Sequence, residues 1–233
     1  MSSNWRVDAD EGLWPAGIGR RVLTEVDSTN AEAARIAPTL TEPTWILALN
    51  QTAARGRRGR TWVNPPGNFA ATYVMHPSEP PDQVAQRSFV AALALYDALV
   101  AASGRFQGLA LKWPNDVLID GDKVAGILLE TSGQGDRVDY LAIGIGVNLV
   151  WAPDIADLDP DALPPIALAD VIGGTINPEN FLDILAPAFD HWERQFVTHG
   201  FAPIRAAWLS HAAKIGERIT ARTGTEPHSD RVS

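Results

Sequence analysis

The chain has 233 residues, of which 45% are hydrophobic and 20% charged, and its formal net charge is −9. This length and composition are typical of a globular protein with one domain, or with one domain and a small appendage. The acidic balance argues against a general affinity for nucleic acid, which needs a basic face. The lack of cysteine excludes a disulfide framework, a thiolate nucleophile and a cysteine-based zinc site, and it fits a cytoplasmic protein.

The first residues show no targeting signal. Charged side chains stand where a secretory signal would need an apolar core, and residues 1–20 lack periodicity, so they predict an irregular leader. The longest apolar stretch, residues 89–102, is shorter than the ~20 residues that cross a bilayer. We therefore expect no contact with a membrane.

A polar turn links the first predicted strand to the first predicted helix. Residues 22–26 predict the strand, residues 27–30 the turn and residues 31–37 the helix, and Thr29 and Glu32 have the spacing of a capping box. Backbone N–H groups and small hydroxyls at such a place can point at a ligand above the sheet. Taken alone, the turn is explained more simply as a helix cap.

Four arginines then occur within six residues, in the run Arg55-Gly56-Arg57-Arg58-Gly59-Arg60. The guanidinium fork suits carboxylate or phosphate, although a solvated charged segment or a nucleic-acid patch would also fit the composition. Predicted strands at residues 45–49 and 69–75 bracket the run, which favours an ordered loop held over a sheet.

The second half of the chain predicts a helix at residues 82–103 and four more strands, at residues 109–113, 117–119, 123–130 and 140–150. In the last of these strands Gly144, Gly146 and Asn148 alternate, so one face carries almost no side chain and leaves room for a flat ligand. Helices are predicted at residues 166–172, 179–196 and 203–211, a strand at residues 217–222, and a polar tail at residues 223–233 that we expect to fray.

Several common catalytic patterns are missing. The sequence has no phosphate-binding G-x-x-x-x-G-K-[ST] loop, no H-E-x-x-H helix and no G-x-S-x-G elbow, and its five histidines do not have ligand spacing. Metal-dependent hydrolysis and serine hydrolysis are therefore disfavoured, and we assign no residue as a metal ligand.

Four short motifs follow one another instead: Ser28-Thr29-Asn30, the arginine run, Lys112-Trp113-Pro114-Asn115-Asp116, and Lys123-Val124-Ala125-Gly126-Ile127. In this order they resemble the biotin protein ligase family, over residues 23–150 and more loosely to residue 208. The resemblance implies an α+β fold in which helices flank a central mixed, mostly antiparallel sheet, as in class II aminoacyl-tRNA synthetases. It implies a catalytic domain at residues 21–212 and, at residues 213–233, a remnant of a small C-terminal β-barrel with a polar tail.

The same resemblance implies an activity. ATP and biotin would form biotinyl-5′-AMP, with Mg²⁺ bound to the nucleotide, and the biotinyl group would pass to a lysine of a biotin carboxyl carrier protein. We expect a monomer or homodimer that binds no nucleic acid. The alternatives are an enzyme like lipoate–protein ligase, and a biotin- or nucleotide-binding module with weakened activity.

Site residues follow from the motifs by the same resemblance. The catalytic residues would be Arg57, Lys123 and Asp116. Biotin would contact Ser28, Thr29, Asn30, Gln51, Arg55, Gly126 and Gly144. The nucleotide would contact Arg57, Arg58, Arg60, Trp62, Asn115, Lys123 and Asn148. Trp113 is predicted to lie in the core instead.

Two features depart from the family pattern. Ala54 stands where the arginine loop usually begins with glycine, and a position that needs a positive φ would disfavour alanine. Family members usually continue into a small C-terminal β-barrel, of which this sequence predicts one strand, so we expect either that the barrel is lost or that the tail pairs elsewhere. The missing N-terminal DNA-binding domain suggests a ligase that is not also a repressor.

Overall fold

The structure is a computed structural model. It describes residues 14–158 and 162–216, together with the backbone of residues 218–223 and 226–231, and the side chains of Arg58 and Asp157 fall outside this description. Most of the predicted leader therefore lies outside the described residues. Its last two residues, Gly19 and Arg20, belong to the first strand.

Seven strands form one mixed sheet. They are β1 (Gly19–Leu23), β2 (Thr44–Ala48), β3 (Phe69–Met75), β4 (Leu109–Lys112), β5 (Asp116–Ile119), β6 (Asp122–Gln134) and β7 (Arg137–Val147). Their spatial order is β1-β2-β3-β7-β6-β5-β4. The pair β1 and β2 is parallel and the other five pairs are antiparallel, which confirms the predicted mixed, mostly antiparallel sheet.

The described helices flank this sheet. They are α1 (Thr29–Ile36), α2 (Pro81–Ala85), α3 (Arg87–Ser103), α4 (Leu168–Ile172), α5 (Pro178–His199) and α6 (Phe201–His211). The helix predicted at residues 82–103 is present, but a turn at Gln86 divides it into α2 and α3. Two short-range hydrogen bonds, from Gln86 N–H to Gln83 O and from Phe89 N–H to Gln86 O, tighten the backbone there and separate α2 from α3.

Helices α3, α5 and α6 cover one face of the sheet, which we call the covered face. Alternate strand residues point into it, and the aromatic rings of Trp45, Tyr73 and Phe189 meet there with centroids 4.6–5.5 Å apart. Each large apolar side chain buried in this layer contributes about 1.5–3 kcal/mol to the free energy of unfolding. The covered face is thus where the fold obtains most of its hydrophobic stabilisation.

Aromatic residues of the C-terminal helices were assigned to this core, and the assignment is confirmed. Phe196 and Trp208 are each 7% exposed, and Trp192 and Phe201 pack against the same cluster. The corresponding prediction for Trp113 was wrong, because its side chain is 43% exposed. Trp113 follows the last residue of β4, where the chain turns away from the sheet and the helices do not enclose it.

The opposite face, which we call the open face, has a much smaller helical cover. Of the helices that the structure describes, only α1 packs there, placing Ala33 and Ile36 against Ile46, Val74 and Ala142. Strands β4 and β5 have no helix over this face among the contacts that the structure describes, and β6 meets only the first turn of α1. Their outward residues are therefore left for a ligand.

Residues Pro81–Ser103 are long and apolar enough to cross a membrane, but most of that stretch is buried inside the protein, as in the core helix of a globular domain.

At the C-terminus, β8 (Arg218–Thr223) pairs antiparallel with β9 (Glu226–Arg231). The expectation that residues 223–233 fray was therefore wrong for β9, because backbone pairing with β8 holds it as a strand.

Candidate active site

A row of aligned residues crosses five strands on the open face. Backbone pairing places Ala70, Gly146, Gly126, Asp116 and Lys112 side by side on β3, β7, β6, β5 and β4. Neighbours in such a row lie about 5 Å apart. The two central glycines make a shallow floor, and the two charged residues stand at one end of it.

Side chains from other segments lie directly on the glycines of β6 and β7. A Cβ added to Gly146 would meet the indole of Trp62 at 2.6 Å, and one added to Gly126 would lie 3.4 Å from both Trp62 and Lys123. A Cβ added to Gly144 would collide with the amide of Asn30. In this structure the protein's own side chains occupy the space over the floor.

A polar cluster occupies one side of the open face. Gln51 Oε1 accepts a 2.8 Å hydrogen bond from the backbone N–H of Thr29 and lies 3.2 Å from the Thr29 hydroxyl. The Thr72 hydroxyl lies 2.8 Å from Thr29 Oγ1 and 2.6 Å from Asn30 Oδ1. Asn30 Nδ2 donates to Glu130 Oε2 at 2.8 Å. These contacts fix the first turn of α1 over β3 and β6.

The predicted capping box at Thr29 was wrong. Helix α1 begins at Thr29 itself, Ser28 is the residue before the helix, and the Ser28 side chain makes no capping hydrogen bond. Glu32 accepts from Arg35 Nε at 2.7 Å instead of reaching back to the helix start. The physical reason is that Thr29 uses its hydroxyl in the polar cluster. Ser28 is 5% exposed and borders the same cluster.

The arginine run forms a compact loop, which we call the arginine loop (residues 54–62). Its ends are joined by hydrogen bonds from Gly56 N–H to Arg60 O at 2.7 Å and from Trp62 N–H to Ala54 O at 3.1 Å. A single 3₁₀ turn, Arg57–Gly59, forms its tip, and Gly59 takes a φ of +72° that favours glycine. Arg55, Arg57 and Arg60 are exposed.

Ala54 is compatible with this loop. It does not take a positive φ, and its side chain is 8% exposed. Alanine therefore adopts the observed backbone without the strain that a left-handed conformation would cause. The departure from glycine leaves the loop conformation intact.

The arginine loop is tied to the β4–β5 turn. Arg57 Nη1 donates to Asn115 Oδ1 at 3.1 Å, and Asn115 Nδ2 donates to Ile127 O at 2.8 Å. Asn115 therefore links the loop to β6, and it places the Arg57 guanidinium beside the residue that precedes Asp116. The side chain of Arg58 lies outside the described residues.

Lys123 and Asp116 form an ion pair at the charged end of the row. Lys123 Nζ lies 2.7 Å from Asp116 Oδ1, with the two side chains 27% and 17% exposed. The contact is close but poorly aligned for a hydrogen bond, since Oδ1 has no partner of good geometry. Lys123 Nζ also lies 5.5 Å from the centre of the Trp62 ring.

Trp62 and Asn148 differ in what they contact. The indole Nε1 of Trp62 is buried without a hydrogen-bond partner in the described part of the chain. Such a donor costs about 1–3 kcal/mol unless an acceptor reaches it, so it is a candidate contact for a ligand. Asn148 is 3% exposed and donates to Ile166 O at 3.2 Å, which holds the segment before α4 against the end of β7.

Three contributors to this site were not singled out from the sequence as site residues. Thr72 and Glu130 join the polar cluster, and Lys112 ends the row. Thr72 had a usable signal, because it is the single hydroxyl-bearing aliphatic residue in an otherwise apolar strand. Glu130 had none, because its partner Asn30 is 100 residues away in the chain.

Comparison with known proteins agrees with this geometry. A model of the biotin/lipoate A/B protein ligase family matches residues 22–148. A biotin–[acetyl-CoA-carboxylase] ligase of Paracoccus denitrificans is 57% identical over 204 residues, covering 88% of this chain and 85% of that protein. The chain belongs to the biotin/lipoate A/B protein ligase family. The resemblance inferred from the four motifs is thereby confirmed.

Other members of the family differ more in length. The bifunctional ligase/repressor BirA of Bacillus spizizenii is 36% identical over 91% of this chain, but the match covers only 66% of that protein. Among solved structures, the biotin protein ligase of Aquifex aeolicus in complex with biotin and ATP is 25% identical, with a TM-score of 0.75 and coverage of 91% of this chain and 86% of that one. The expected ligase fold is confirmed.

Proposed function

We propose that this protein is a biotin protein ligase. It forms biotinyl-5′-AMP and pyrophosphate from biotin and ATP, and then transfers the biotinyl group to a lysine of a biotin carboxyl carrier protein. The Paracoccus relative is named for this activity, and the Aquifex structure contains biotin and ATP. The observation that carries the proposal is the meeting of the arginine loop, Asp116 and Lys123 at one end of a glycine floor.

The open face has the right layout for biotin. The polar cluster at Thr29 and Gln51 supplies donors and acceptors for the ureido head, and Ser28 adds a hydroxyl that no cap uses. Lys123 lies two strands away, about 10 Å across the sheet. The head and the carboxylate of one extended ligand would reach these two places. Asn30 acts mainly by positioning α1, since its amide is bonded to Thr72 and Glu130.

The first step joins two anions. A carboxylate oxygen of biotin attacks the α-phosphorus of ATP, and the bond to the bridging oxygen breaks as pyrophosphate leaves with the electron pair. Arg55, Arg57 and Lys123 reduce the repulsion between the reactants, and they stabilise charge on the α-phosphate better than reorganising water does. The Lys123 ammonium is already held at this place by Asp116 at 2.7 Å.

The second step needs a neutral amine. The carrier's lysine nitrogen attacks the acyl carbon of the mixed anhydride, AMP leaves with the electron pair, and the nitrogen loses a proton. Asp116 is the nearest carboxylate to Lys123, and it accepts this proton or orients the amine. Its poorly aligned contact with Lys123 leaves it able to change partner.

The nucleotide lies next to the arginine loop, near Trp62. Trp62 covers Gly146, and its buried Nε1–H gains an acceptor when the nucleotide binds. Arg58 and Arg60 contribute positive charge from the loop, while Asn115 holds Arg57 in place. The loop also separates the mixed anhydride from water, which would hydrolyse it.

Magnesium would arrive with the nucleotide. The described residues contain no group of three or more His, Cys, Asp or Glu side chains that could hold a metal ion. Mg²⁺ commonly keeps several waters and binds through substrate phosphates and one or two carboxylates, and Asp116 is a carboxylate at the right place. Asp116 would help to hold an ion that arrives with ATP, and the ion would supply positive charge to the phosphates.

The compartment, the oligomeric state and the partners of the protein are part of the same proposal. We propose that the protein acts in the cytoplasm as a monomer or homodimer, with the carrier domain as its protein partner and without nucleic acid. The net charge of −9 supports the last point, since the arginine loop is a local exception in an acidic chain.

A transfer assay tests the proposed function. The purified protein is incubated with ATP, Mg²⁺ and an acetyl-CoA carboxylase carrier domain, with biotin or lipoate as the acid. We expect the carrier mass to increase by one biotinyl group with biotin, and no change without ATP. Modification by lipoate alone would identify a lipoate ligase. Binding of biotin by calorimetry, with no modified carrier and no biotinyl-5′-AMP, would identify a binding module and contradict the proposal.

A further inference from the structure

Lysine is rare in this chain and confined to one place. Only three of the 19 basic Lys and Arg residues are lysines: Lys112, Lys123 and Lys214. Lysine is ordinarily one of the commonest residues on protein surfaces. Lys112 and Lys123 both lie near Asp116 at one corner of the open face, and Lys214 comes close enough to Lys112 for its positive charge to act on it.

The backbone explains how Lys214 reaches this corner. After α6 ends, Ala212 pairs with Leu111 in a parallel bridge, and Ala213 N–H donates to Leu111 O at 2.8 Å. The segment thus extends the sheet beyond β4 with Ala213 level with Lys112, and Lys214 is the next residue. Lys214 takes a φ of +61°, a conformation that a residue with a side chain adopts at an energetic cost.

The charges at this corner are unbalanced. Lys112 pairs across the sheet with Asp116, whose carboxylate contacts Lys123, so two lysines share one carboxylate and the positive charge of Lys214 adds to theirs. Burial lowers the pKa of Lys112, and the positive charges of Lys214 and Lys123 lower it further, while Asp116 opposes them. Within the described part of the chain, neither Lys112 nor Lys214 forms a salt bridge.

We infer that Lys112 and Lys214 extend the site beyond Lys123 into a subsite for the β- and γ-phosphates of ATP, which also binds the pyrophosphate that leaves. The inference rests on the proposed function. When the Pα–O bond breaks, the bridging oxygen keeps the electron pair, and negative charge grows on the departing pyrophosphate. Ammonium groups at the far side of Asp116 stabilise that charge.

The lysine type suits this role. A lysine ammonium is a compact charge on a flexible stem, whereas arginine makes a planar two-bond clamp. Pyrophosphate must leave the site after the first step, and flexible single-charge contacts from lysine allow it to dissociate more easily than a two-bond clamp would. The arginine loop then holds the α-phosphate that remains on the intermediate, and the lysines hold the part that is lost.

Single variants test the subsite. Lys214→Ala and Lys112→Ala are compared with Lys214→Arg, which keeps the charge, and with Arg137→Ala, which removes an 83%-exposed cation at the β6–β7 turn. The KM for ATP and the inhibition constants for pyrophosphate and AMP are measured in adenylate formation. Transfer is measured separately from synthetic biotinyl-5′-AMP, which bypasses ATP and pyrophosphate. Thermal unfolding verifies that each variant is folded.

We expect Lys214→Ala to raise the KM for ATP and the pyrophosphate inhibition constant about fivefold, and Lys112→Ala about tenfold. Inhibition by AMP and transfer from synthetic adenylate should stay within about twofold of the wild type in both alanine variants, as should all values for Arg137→Ala. Lys214→Arg keeps the charge, so it should recover part of the pyrophosphate binding that Lys214→Ala loses. An unchanged pyrophosphate constant in both alanine variants would overturn the inference. So would a loss confined to transfer, which would mean that the lysines bind the carrier. If the wild type makes no biotinyl-5′-AMP, the proposed function itself fails.

Discussion

The two faces of the seven-stranded sheet use alternate residues of the same strands for opposite purposes. In β7 the covered face receives Ile143 and Ile145, which are buried among α3 and α5, while the open face receives Gly144 and Gly146. The covered face is packed as densely as an organic crystal, whereas Gly144 and Gly146 bring no side chain of their own to the open face. A substitution should therefore affect either stability or catalysis, according to the parity of its position.

The largest expected effect is at Lys123, on the catalytic side. Lys123→Ala removes the ammonium 2.7 Å from Asp116, and we expect the rate of adenylate formation to fall by about 10²–10³-fold, as for other fixed groups that stabilise developing charge. The melting temperature should change little, because the side chain is part-exposed. Release of pyrophosphate measures the rate, and Arg137→Ala is the control. A variant with normal adenylate formation would remove Lys123 from the catalytic residues.

Asp116→Asn separates the two steps. We expect transfer from synthetic biotinyl-5′-AMP to slow by about 10²-fold, as for loss of a general base, and adenylate formation to slow much less. The two half-reactions are measured independently, at saturating carrier and at saturating ATP. Equal losses in both would assign Asp116 to metal binding or loop orientation instead.

Adjacent residues of β7 test the comparison most directly. Gly146→Ala places a methyl group 2.6 Å from the Trp62 indole, so the ring must move, and we expect about tenfold slower adenylate formation with a near-normal melting temperature. Ile145→Val, on the covered face, should lower the free energy of unfolding by about 0.5–1.5 kcal/mol and leave the kinetics unchanged. Denaturant unfolding and steady-state kinetics on both variants provide the measurements. The reverse pattern would contradict the division between faces.

We expect the free energy of unfolding to depend on pH through His211, the last residue of α6. Burial lowers the pKa of His211 below its usual 6.5, an effect that the negative charge of Asp97 opposes. Below about pH 6.5 the unfolded chain then binds a proton that the folded chain resists, so the free energy of unfolding falls as the pH drops toward the lowered value. His211→Gln should flatten this part of the curve of melting temperature against pH. An identical slope in both proteins would exclude His211 as its source.

The smallest expected effect is at the entrance of the arginine loop. Ala54→Gly should change adenylate formation by less than about twofold, because Ala54 does not take a positive φ and needs no glycine. Steady-state kinetics with ATP and biotin suffice. A large gain in rate would mean that the loop needs the left-handed conformation during the reaction.

Much of this molecule was predictable because its signals are local. Strand periodicity located β2 and β3 within a residue or so, and the Asp120-Gly121 turn between β5 and β6 has the expected positive φ at both residues. The four motifs identified the family, because each is a short run of residues that can be recognised without knowing the fold. The errors arose where several partners compete for one side chain, as at Thr29, which bonds Gln51 and Thr72 rather than capping α1.

The sequence by itself determined the alternation of apolar and small residues, and with it which strands have an open face and which motifs border it. Only the tertiary structure decided which distant groups meet there. It brought Lys214 beside Lys112 through the bridge from Ala212 to Leu111, and it laid the Trp62 indole on Gly146. The physical reason is that periodicity is written into each segment, whereas the pairing of segments depends on how the whole chain buries its apolar surface.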